Sequence, residues 1–170
     1  MHCPACGRQN EPGSDACSNC MLPLSHLDAP AHHDRLEESL SNEPVSSLNP
    51  RIPVTVPATA NLASAIRAMI DRGVGAVLVV ESNGRLAGIL TERDFLTKIA
   101  GQPSYAALGV SEFMTRDPES VAPTDTLAFA LGKMDGGGYR HLPVVERDRP
   151  VGVISVRDIL RHVTQLCRQA

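Results

Sequence analysis

The sequence predicts an α+β protein in which a tandem repeat follows a small metal-binding segment and a linker. Three observations support this prediction. The phrases Gly88–Asp94 and Gly152–Asp158 both read Gly-apolar-apolar-hydroxyl-x-Arg-Asp, 64 residues apart. The apolar residues around them recur with strand and helix periods, and four cysteines form two Cys-x-x-Cys pairs near the start. We place the metal-binding segment at residues 1–22, the linker at 23–50, and the two repeats at 51–102 and 103–170.

Composition and charge restrict the classes of function. The chain has 170 residues, of which 42% are apolar and 3% aromatic, so the core is built from aliphatic side chains and methionine. A net charge of −3 does not favour nucleic acid as a partner. The longest apolar run, Ala76–Val80, is far shorter than the ~20 residues that span a bilayer. With no signal-peptide pattern either, we expect a soluble, cytoplasmic protein without a membrane partner.

The four cysteines have the spacing of a metal site. Cys3 and Cys6 are separated by ten residues from Cys17 and Cys20. Four thiolates presented by two tight turns suit tetrahedral Zn²⁺ and leave no open coordination position, which favours a structural role; iron is the alternative metal. In a cytosolic chain the spacing indicates metal rather than disulfides. The stretch resembles the small CPxCG form of the zinc-ribbon family, whose metal supplies the folding free energy.

The linker is rich in Pro, Ser, Asn and acidic residues. A short helix over residues 34–40 is compatible with its pattern. His2, beside Cys3, is surplus to the four cysteines. The histidines of the linker could suggest a second metal site, but solvated residues are the favoured interpretation, because no cysteine or carboxylate has matching spacing. These linker histidines are His26, His32 and His33.

Each repeat has the order strand, helix, strand, strand, helix. Leu62, Ala65 and Met69 give the first copy an apolar helical stripe, and residues 65 positions later give the second copy the same stripe. In the first copy we predict strands at 76–80 and 86–90, a turn at 82–84, and a helix at 92–100. In the second copy we predict strands at 142–145 and 151–154, and a helix at 156–166.

The end of each repeated phrase supports two interpretations. The hydroxyl residue precedes a helix, whose N-terminus is a potential anion site, and the Asp three residues later can accept hydrogen bonds from a sugar diol. The same hydroxyl-x-x-acid pattern is also an ordinary capping box. Capping alone explains one copy well, whereas two copies in one repeated frame favour a ligand site.

Residues 51–170 resemble a tandem pair of CBS domains, also called a Bateman module. The phrases Glu112–Pro118 and Tyr139–Val145 and the two Gly-x-x-Ser/Thr-x-x-Asp stretches carry the resemblance. It implies a regulatory module that binds an adenosine nucleotide (AMP, ADP or ATP) in clefts between the repeats. It also implies a homodimer and an effector protein that responds to the bound ligand.

The resemblance further implies which residues form the two clefts. In each cleft the hydroxyl faces phosphate and the Asp faces the ribose, while the other repeat holds adenine. Cleft one would combine Thr91, Arg93 and Asp94 with Pro118, Val121, Tyr139, Arg140 and His141. Cleft two would combine Ser155, Arg157 and Asp158 with Val54, Val56, Gly75 and Val77.

The clefts differ at the entry to the second strand of each repeat. The second copy has Tyr139-Arg140-His141 where the first has Gly75-Ala76-Val77. A guanidinium and an imidazole can form charge-assisted hydrogen bonds with phosphate, and alanine and valine cannot. We therefore predict that cleft one is the better phosphate site.

The sequence does not favour catalysis, because it contains no nucleophile with a supporting base, and Cys167 in the final helix has no such partner. We expect a non-enzymatic protein. Two alternatives to a nucleotide sensor stay open. The repeats and the cysteine segment could form a ligand-free interaction scaffold, or the four cysteines could serve a redox- or metal-responsive regulator.

Overall fold

A computed structural model describes residues 3, 5–11, 14–22, 24 and 35–169. The chain divides into two compact units, residues 1–34 and residues 35–170. His2 and the linker histidines, which the sequence analysis considered as surplus metal ligands, lie outside the described residues. The first unit contains the four cysteines and is described with the functional site.

Among its described residues, the second unit contains six α-helices, six strands, two 3₁₀ turns (Val45–Leu48 and Tyr105–Ala107) and one π turn. The helices are α1 (Arg35–Asn42), α2 (Leu62–Arg72), α3 (Glu92–Asp94), α4 (Val110–Phe113), α5 (Leu127–Gly137) and α6 (Val156–Gln169). The strands are β1 (Thr55–Pro57), β2 (Ala76–Val80), β3 (Leu86–Thr91), β4 (Thr115–Arg116), β5 (His141–Glu146) and β6 (Arg149–Ser155). This order confirms the mixed α+β repeat that the sequence predicts.

Helices α2 and α5 occupy equivalent places in the two repeats and end in the same way. Asn61 and Thr126 cap their N-termini, each accepting a backbone N–H three residues later, at 2.9 and 3.2 Å. Gly73 and Gly138 close their C-termini in the left-handed conformation, with φ of 60° and 63°. The apolar stripe of each helix faces its own core, where Leu62 and Leu127 are fully buried.

The sheet of each repeat is extended by a short segment that belongs to the other repeat. In the first sheet the order is β1-β2-β3-β4, with β1 parallel to β2 and the other pairs antiparallel. Strand β4 comes from the start of the second repeat. In the second sheet β5 pairs with β6, and Arg51, from the start of the first repeat, bridges antiparallel to Val153. Each repeat therefore supplies an edge of the other's sheet.

Gly88 and Gly152 allow the segment from the other repeat to cross close to the strand at these two points, which we call the crossings. A Cβ on Gly88 would overlap the side chain of Met114 and lie 2.9 Å from the carbonyl oxygen of Thr115. A Cβ on Gly152 would lie 2.6 Å from the Cβ of Pro50. The glycine that opens each repeated phrase thus leaves room for the segment that crosses from the other repeat.

Strand β2 is buried on both faces, which explains its uninterrupted apolar run. Val77 and Val79 belong to the core of the first repeat. Ala76 and Leu78 instead join Ile89 in a separate cluster that also contacts Val153 of the second repeat. The two repeats are thus joined by an apolar seam as well as by the exchanged edges.

The sequence pattern allows a short helix at 34–40, and α1 (Arg35–Asn42) lies there. Residues 35–50 as a whole, which the sequence places in the linker, pack onto the second repeat. They form α1 and a 3₁₀ turn at Val45–Leu48, and Val45 is fully buried in the core of the second repeat, with Leu40 and Leu48 packed around it. The hydroxyl of Ser39 donates to Glu43 and lies 2.7 Å from Nε2 of His162 on α6. Three apolar residues spread among Pro, Ser and acidic residues gave too weak a periodic signal to predict this packing.

Two predicted helices also differ in detail. The predicted helix at 92–100 is α-helical only at α3 and continues as a π turn at Phe95–Ile99, where the N–H of Ala100 donates to the carbonyl of Phe95. The final helix extends to Gln169, beyond the predicted end at 166. Across the described part of the chain, every helix is too short or too polar to cross a bilayer.

We predict that Gly88→Ala and Gly152→Ala each lower the free energy of unfolding by roughly 1–3 kcal/mol, because an added methyl group overpacks a fixed crossing. Gly132→Ala on α5 is the matched control: its Cβ meets nothing within 4 Å, and the change is expected to stabilise the helix by about 0.5–1 kcal/mol. Urea unfolding followed by circular dichroism measures all three. Equal midpoints for the three variants would show that the crossings do not constrain the repeats.

Candidate functional site

The four cysteines of the first unit converge on one point. Their Sγ atoms all lie within 4.8 Å of one another, with Cys3 and Cys20 at 3.5 Å and Cys6 and Cys17 at 3.6 Å. A disulfide requires an S–S distance of about 2.05 Å, whereas tetrahedral Zn–S bonds of ~2.3 Å place sulfur atoms about 3.8 Å apart. The donor set and its spacing therefore fit a tetrahedral metal ion.

Two similar turns present these cysteines. The N–H of Gly7 donates to the carbonyl of Cys3, and the N–H of Met21 donates to the carbonyl of Cys17, at 2.9 and 3.0 Å. Gly7 and Met21 both have positive φ, of 70° and 59°. Each Cys-x-x-Cys pair thus ends in a left-handed residue that turns the chain around the sulfur atoms.

The environment of Cys17 favours its thiolate form. Hydrogen bonds from the backbone N–H groups of Cys20 and Asn19 lower the pKa of Cys17 to about 6. The side-chain amide of Asn10 also donates to the Cys17 sulfur, at 3.6 Å. Because a metal binds the thiolate and not the thiol, these donors orient and prepare one ligand of the cluster.

Two cavities of the second unit contain the repeated phrases, and the larger of these two contains the Ser155 phrase. This cleft two has a volume of about 430 Å³, within the range of small-molecule sites. It is lined by the segment before β1, the residues that follow α2, the entry to β5, the end of β6 and the start of α6. Of the residues predicted for it, it contains Val54, Gly75, Ser155, Arg157 and Asp158.

The second cavity contains the Thr91 phrase and has a volume of about 370 Å³. This cleft one contains residues of both repeats, as the resemblance implies. Of the residues predicted for it, Thr91, Arg93, Asp94, Pro118, Tyr139, Arg140 and His141 all line it.

Three predicted residues line neither cavity. Val56 and Val77 are buried in the core of the first repeat, and Val121 is buried in the core of the second. Val121 N–H donates to the carbonyl of Pro143, so its backbone is also engaged within the sheet. These side chains support the cleft walls from behind. The alternation of side chains along a strand shows which residues share a face. It does not show whether that face lies against the core or against a cleft, because this depends on the elements that pack on it.

Thr91 and Asp94 form the capping box that the pattern also allowed, with the N–H of Asp94 donating to the Thr91 hydroxyl at 3.4 Å. Asp158 makes the carboxylate half of the same arrangement with Ser155. Asp94 Oδ2 accepts the N–H and the hydroxyl of Thr91 at 2.9 and 2.7 Å, and Asp158 Oδ2 accepts the same groups of Ser155 at 2.8 and 2.7 Å. The second oxygens pair with Lys98 at 2.6 Å and with Arg161 at 3.1 Å. A carboxylate has about four acceptor positions, so each keeps capacity for one more hydrogen bond. Capping and ligand binding are thus compatible.

Both carboxyl groups are held in the ionised form. Burial raises the pKa of Asp94, but the hydrogen bonds from Lys98 and Thr91 outweigh it and hold that pKa below its ordinary value. Burial likewise opposes the Ser155 hydrogen bonds and the charge of Arg51 at Asp158, and the net pKa is again lowered. Each ionised carboxylate therefore stabilises the fold, and this contribution is lost as the pH falls through the lowered pKa.

The helix starts themselves offer little to an anion. The N–H groups of Thr91 and Ser155 donate to the capping carboxylates. The next N–H groups, of Glu92 and Val156, donate to the carbonyls of Gly75 and Arg140 at the strand entries. Any anion in the clefts must therefore rely mainly on side-chain cations.

Arg140 and His141 line both cavities. The His141 ring reaches across to the first repeat, where it lies 3.3 Å from the position a Cβ would take on Gly75. Burial and the charge of Arg140 lower the pKa of His141, despite Glu92 and Asp158 nearby, so the imidazole is neutral at pH 7. Because both residues face both clefts, they do not favour cleft one as a phosphate site, and the ranking predicted from the sequence loses its basis.

Several charged lining residues escaped the sequence reasoning. Cleft two also contains Arg51, Glu92 and Arg161, and cleft one contains Arg116, Asp117 and Glu119. Arg51 and Arg116 lie 65 residues apart, the same offset as the first helices of the repeats. The repeat alignment could therefore have identified them as equivalent residues. The sequence did not show that they line the clefts, because they lie on the edge segments that the two repeats exchange.

The comparisons with known proteins agree with this architecture. The CBS domain family matches residues 45–101 and 110–165. A CBS domain-containing protein of Arabidopsis thaliana is 43% identical over 109 residues, which cover 63% of this chain and 20% of the relative. The chain thus spans about a fifth of the length of that relative.

Solved structures show the same fold. A CBS-domain protein from Agrobacterium tumefaciens superposes with a TM-score of 0.62 and 31% identity, covering 69% of this chain and 88% of that one. A CBS domain protein from Pyrobaculum aerophilum, solved in complex with AMP, superposes with a TM-score of 0.64 and 27% identity, covering 72% and 98%. With two family matches on the two repeats and this shared fold, the chain belongs to the CBS-domain family.

Proposed function

We propose that the CBS pair is a regulatory module that binds an adenosine nucleotide of the AMP, ADP or ATP type in its clefts. The observation that carries the proposal is the placement of a hydroxyl–aspartate pair from each repeat in a separate cavity of nucleotide size, beside arginines. The relative from Pyrobaculum aerophilum, which has the same fold and 27% identity, was solved with AMP. The bound ribose would use the remaining acceptor position of Asp94 or Asp158.

A ligand in these clefts can act on the geometry of the pair. Each cleft has walls from both repeats, and the repeats are joined by exchanged edge segments rather than by a hinge. A nucleotide therefore shifts the arrangement only if it binds one arrangement more tightly than another. An effector protein, or a second copy of the chain in a homodimer, would respond to that shift. We infer a regulatory and not a catalytic role.

We predict that one or more ligands among AMP, ADP, ATP, NAD and S-adenosylmethionine bind in isothermal titration calorimetry. In the double variant Asp94→Ala, Asp158→Ala, affinity should fall at least about tenfold, because the ribose loses a charge-assisted hydrogen bond. Asp125→Ala is the matched control: this carboxylate accepts the N–H of Ala122 at 2.7 Å outside both clefts, and its loss should leave affinity unchanged.

Thermal unfolding of the three proteins checks that the aspartate variants remain folded, since removal of a cap costs about 1 kcal/mol by itself. If no nucleotide binds the unaltered protein, the sensor function is wrong, and the ligand-free scaffold becomes the better description. An equal loss of affinity in Asp125→Ala would show that the effect is structural and not local to the clefts.

We further propose that the four-cysteine unit holds one structural Zn²⁺. The support is the closed set of four sulfur donors and the two left-handed turns around it. In the bound state the metal would cross-link the two Cys-x-x-Cys turns, and its affinity would contribute folding free energy to a unit with a small core of Cys3, Cys17 and Leu24.

We predict about one zinc per chain by atomic emission, and loss of that metal in Cys17→Ser. Cys167→Ser is the control, because Cys167 is exposed on α6 and absent from the cluster; its zinc content should not change. Iron in place of zinc in the same measurement would identify the alternative metal. A metal-free protein that keeps the fold of residues 3–24 would exclude a structural metal.

A further inference from the structure

The two clefts share one wall. Arg140 and His141 stand at the entry to β5 and line both cavities. The carbonyl of Arg140 accepts the N–H of Val156, at 3.1 Å, which fixes the backbone at this point. Arg140 therefore borders two potential anion sites. A phosphate that binds it from one cleft reduces its attraction for a phosphate in the other.

The remaining charges of the two clefts are unequal. Cleft two contains four arginines and two carboxylates, with Arg51, Arg157 and Arg161 joining Arg140. Cleft one contains three arginines and three carboxylates, the latter being Asp94, Asp117 and Glu119. Lys98 and Lys133 pair with two of these carboxylates, but neither lysine lines the cavity.

The arginines of cleft one are also less available. Arg93 donates to the carbonyl of Gly138 at 3.2 Å, and Arg116 donates to the carbonyl of Ser111 at 2.9 Å. In cleft two, Arg161 pairs with Asp158, and no such hydrogen bond is seen among the described residues for the side chains of Arg51 and Arg157. A phosphate would thus find more arginine N–H donors without an acceptor in the described part of the protein in cleft two, although the charge of Arg51 also acts on Asp158.

We propose, building on the nucleotide function above, that phosphate-bearing nucleotides bind in cleft two and that Arg140 is committed there. The module therefore takes one such nucleotide per chain. Cleft one, with three carboxylates and three arginines among its lining residues and with Arg140 already engaged, disfavours a second anionic nucleotide. This reverses the order that the sequence alone suggests, and it makes the two clefts mutually dependent.

The test compares ADP with adenosine, which lacks phosphate, by calorimetry of the full chain. Arg157→Ala and Arg93→Ala are the matched variants, since the two residues are exposed and occupy equivalent positions in the repeats. We expect one ADP per chain and about tenfold weaker ADP binding in Arg157→Ala, with adenosine binding retained. The loss in Arg93→Ala should be at least about fivefold smaller. Arg85→Ala, which removes an exposed arginine paired with Asp148, controls for net charge.

Each outcome decides the inference. A larger loss of ADP affinity in Arg93→Ala than in Arg157→Ala would overturn it in favour of cleft one. Two ADP molecules per chain with equal affinity would overturn the mutual dependence, while leaving the nucleotide function intact. If ADP does not bind the unaltered protein, the inference is overturned, and the nucleotide function fails with it only if AMP and ATP do not bind either, so the two failures are distinguishable.

Discussion

The exchange of edge segments between the repeats is the constraint on which the rest of the second unit depends. Strand β4 belongs to the chain that enters the second repeat but completes the first sheet, and Arg51 makes the reciprocal contact with β6. Neither sheet keeps its full set of backbone hydrogen bonds if the other repeat is removed. The pair therefore behaves as one folding unit, and the clefts form where the exchanged segments pass the helix starts.

The same crossing explains why the repeated phrases, Gly88–Asp94 and Gly152–Asp158, contribute both to the packing of the repeats and to the candidate ligand site. Its glycine allows the neighbouring segment to approach, its apolar residues fill the core or the seam, and its hydroxyl and aspartate cap the next helix. The capped end then faces the cavity that the crossing creates. A ligand-binding group placed this way costs the protein little, because its carboxylate is already ordered and ionised before any ligand arrives.

The parts of the fold that the sequence predicted are those in which the periodic apolar pattern matches the burial of each side chain. Leu62 and Leu127 lie at equal positions of two apolar helical stripes, and each is buried in its own repeat. Strand β2 was predictable because burial on both faces requires an apolar residue at every position. The packing of Val45 was missed, since a single buried residue in a polar stretch has no period. The π turn at Phe95–Ile99 was missed because it differs from an α-helix only in its hydrogen-bond register.

The premise of the predicted cleft ranking changed for a different reason. Alignment of two repeats assigns each residue to one copy and one site. Arg140 instead lines both cavities, while Ala76, its counterpart in the first repeat, packs into the apolar seam. A substitution at Arg140 therefore alters the lining of two cavities at once. In the arrangement that we propose, this departure from repeat symmetry, more than the repeated hydroxyl and aspartate, distinguishes the two clefts as anion sites.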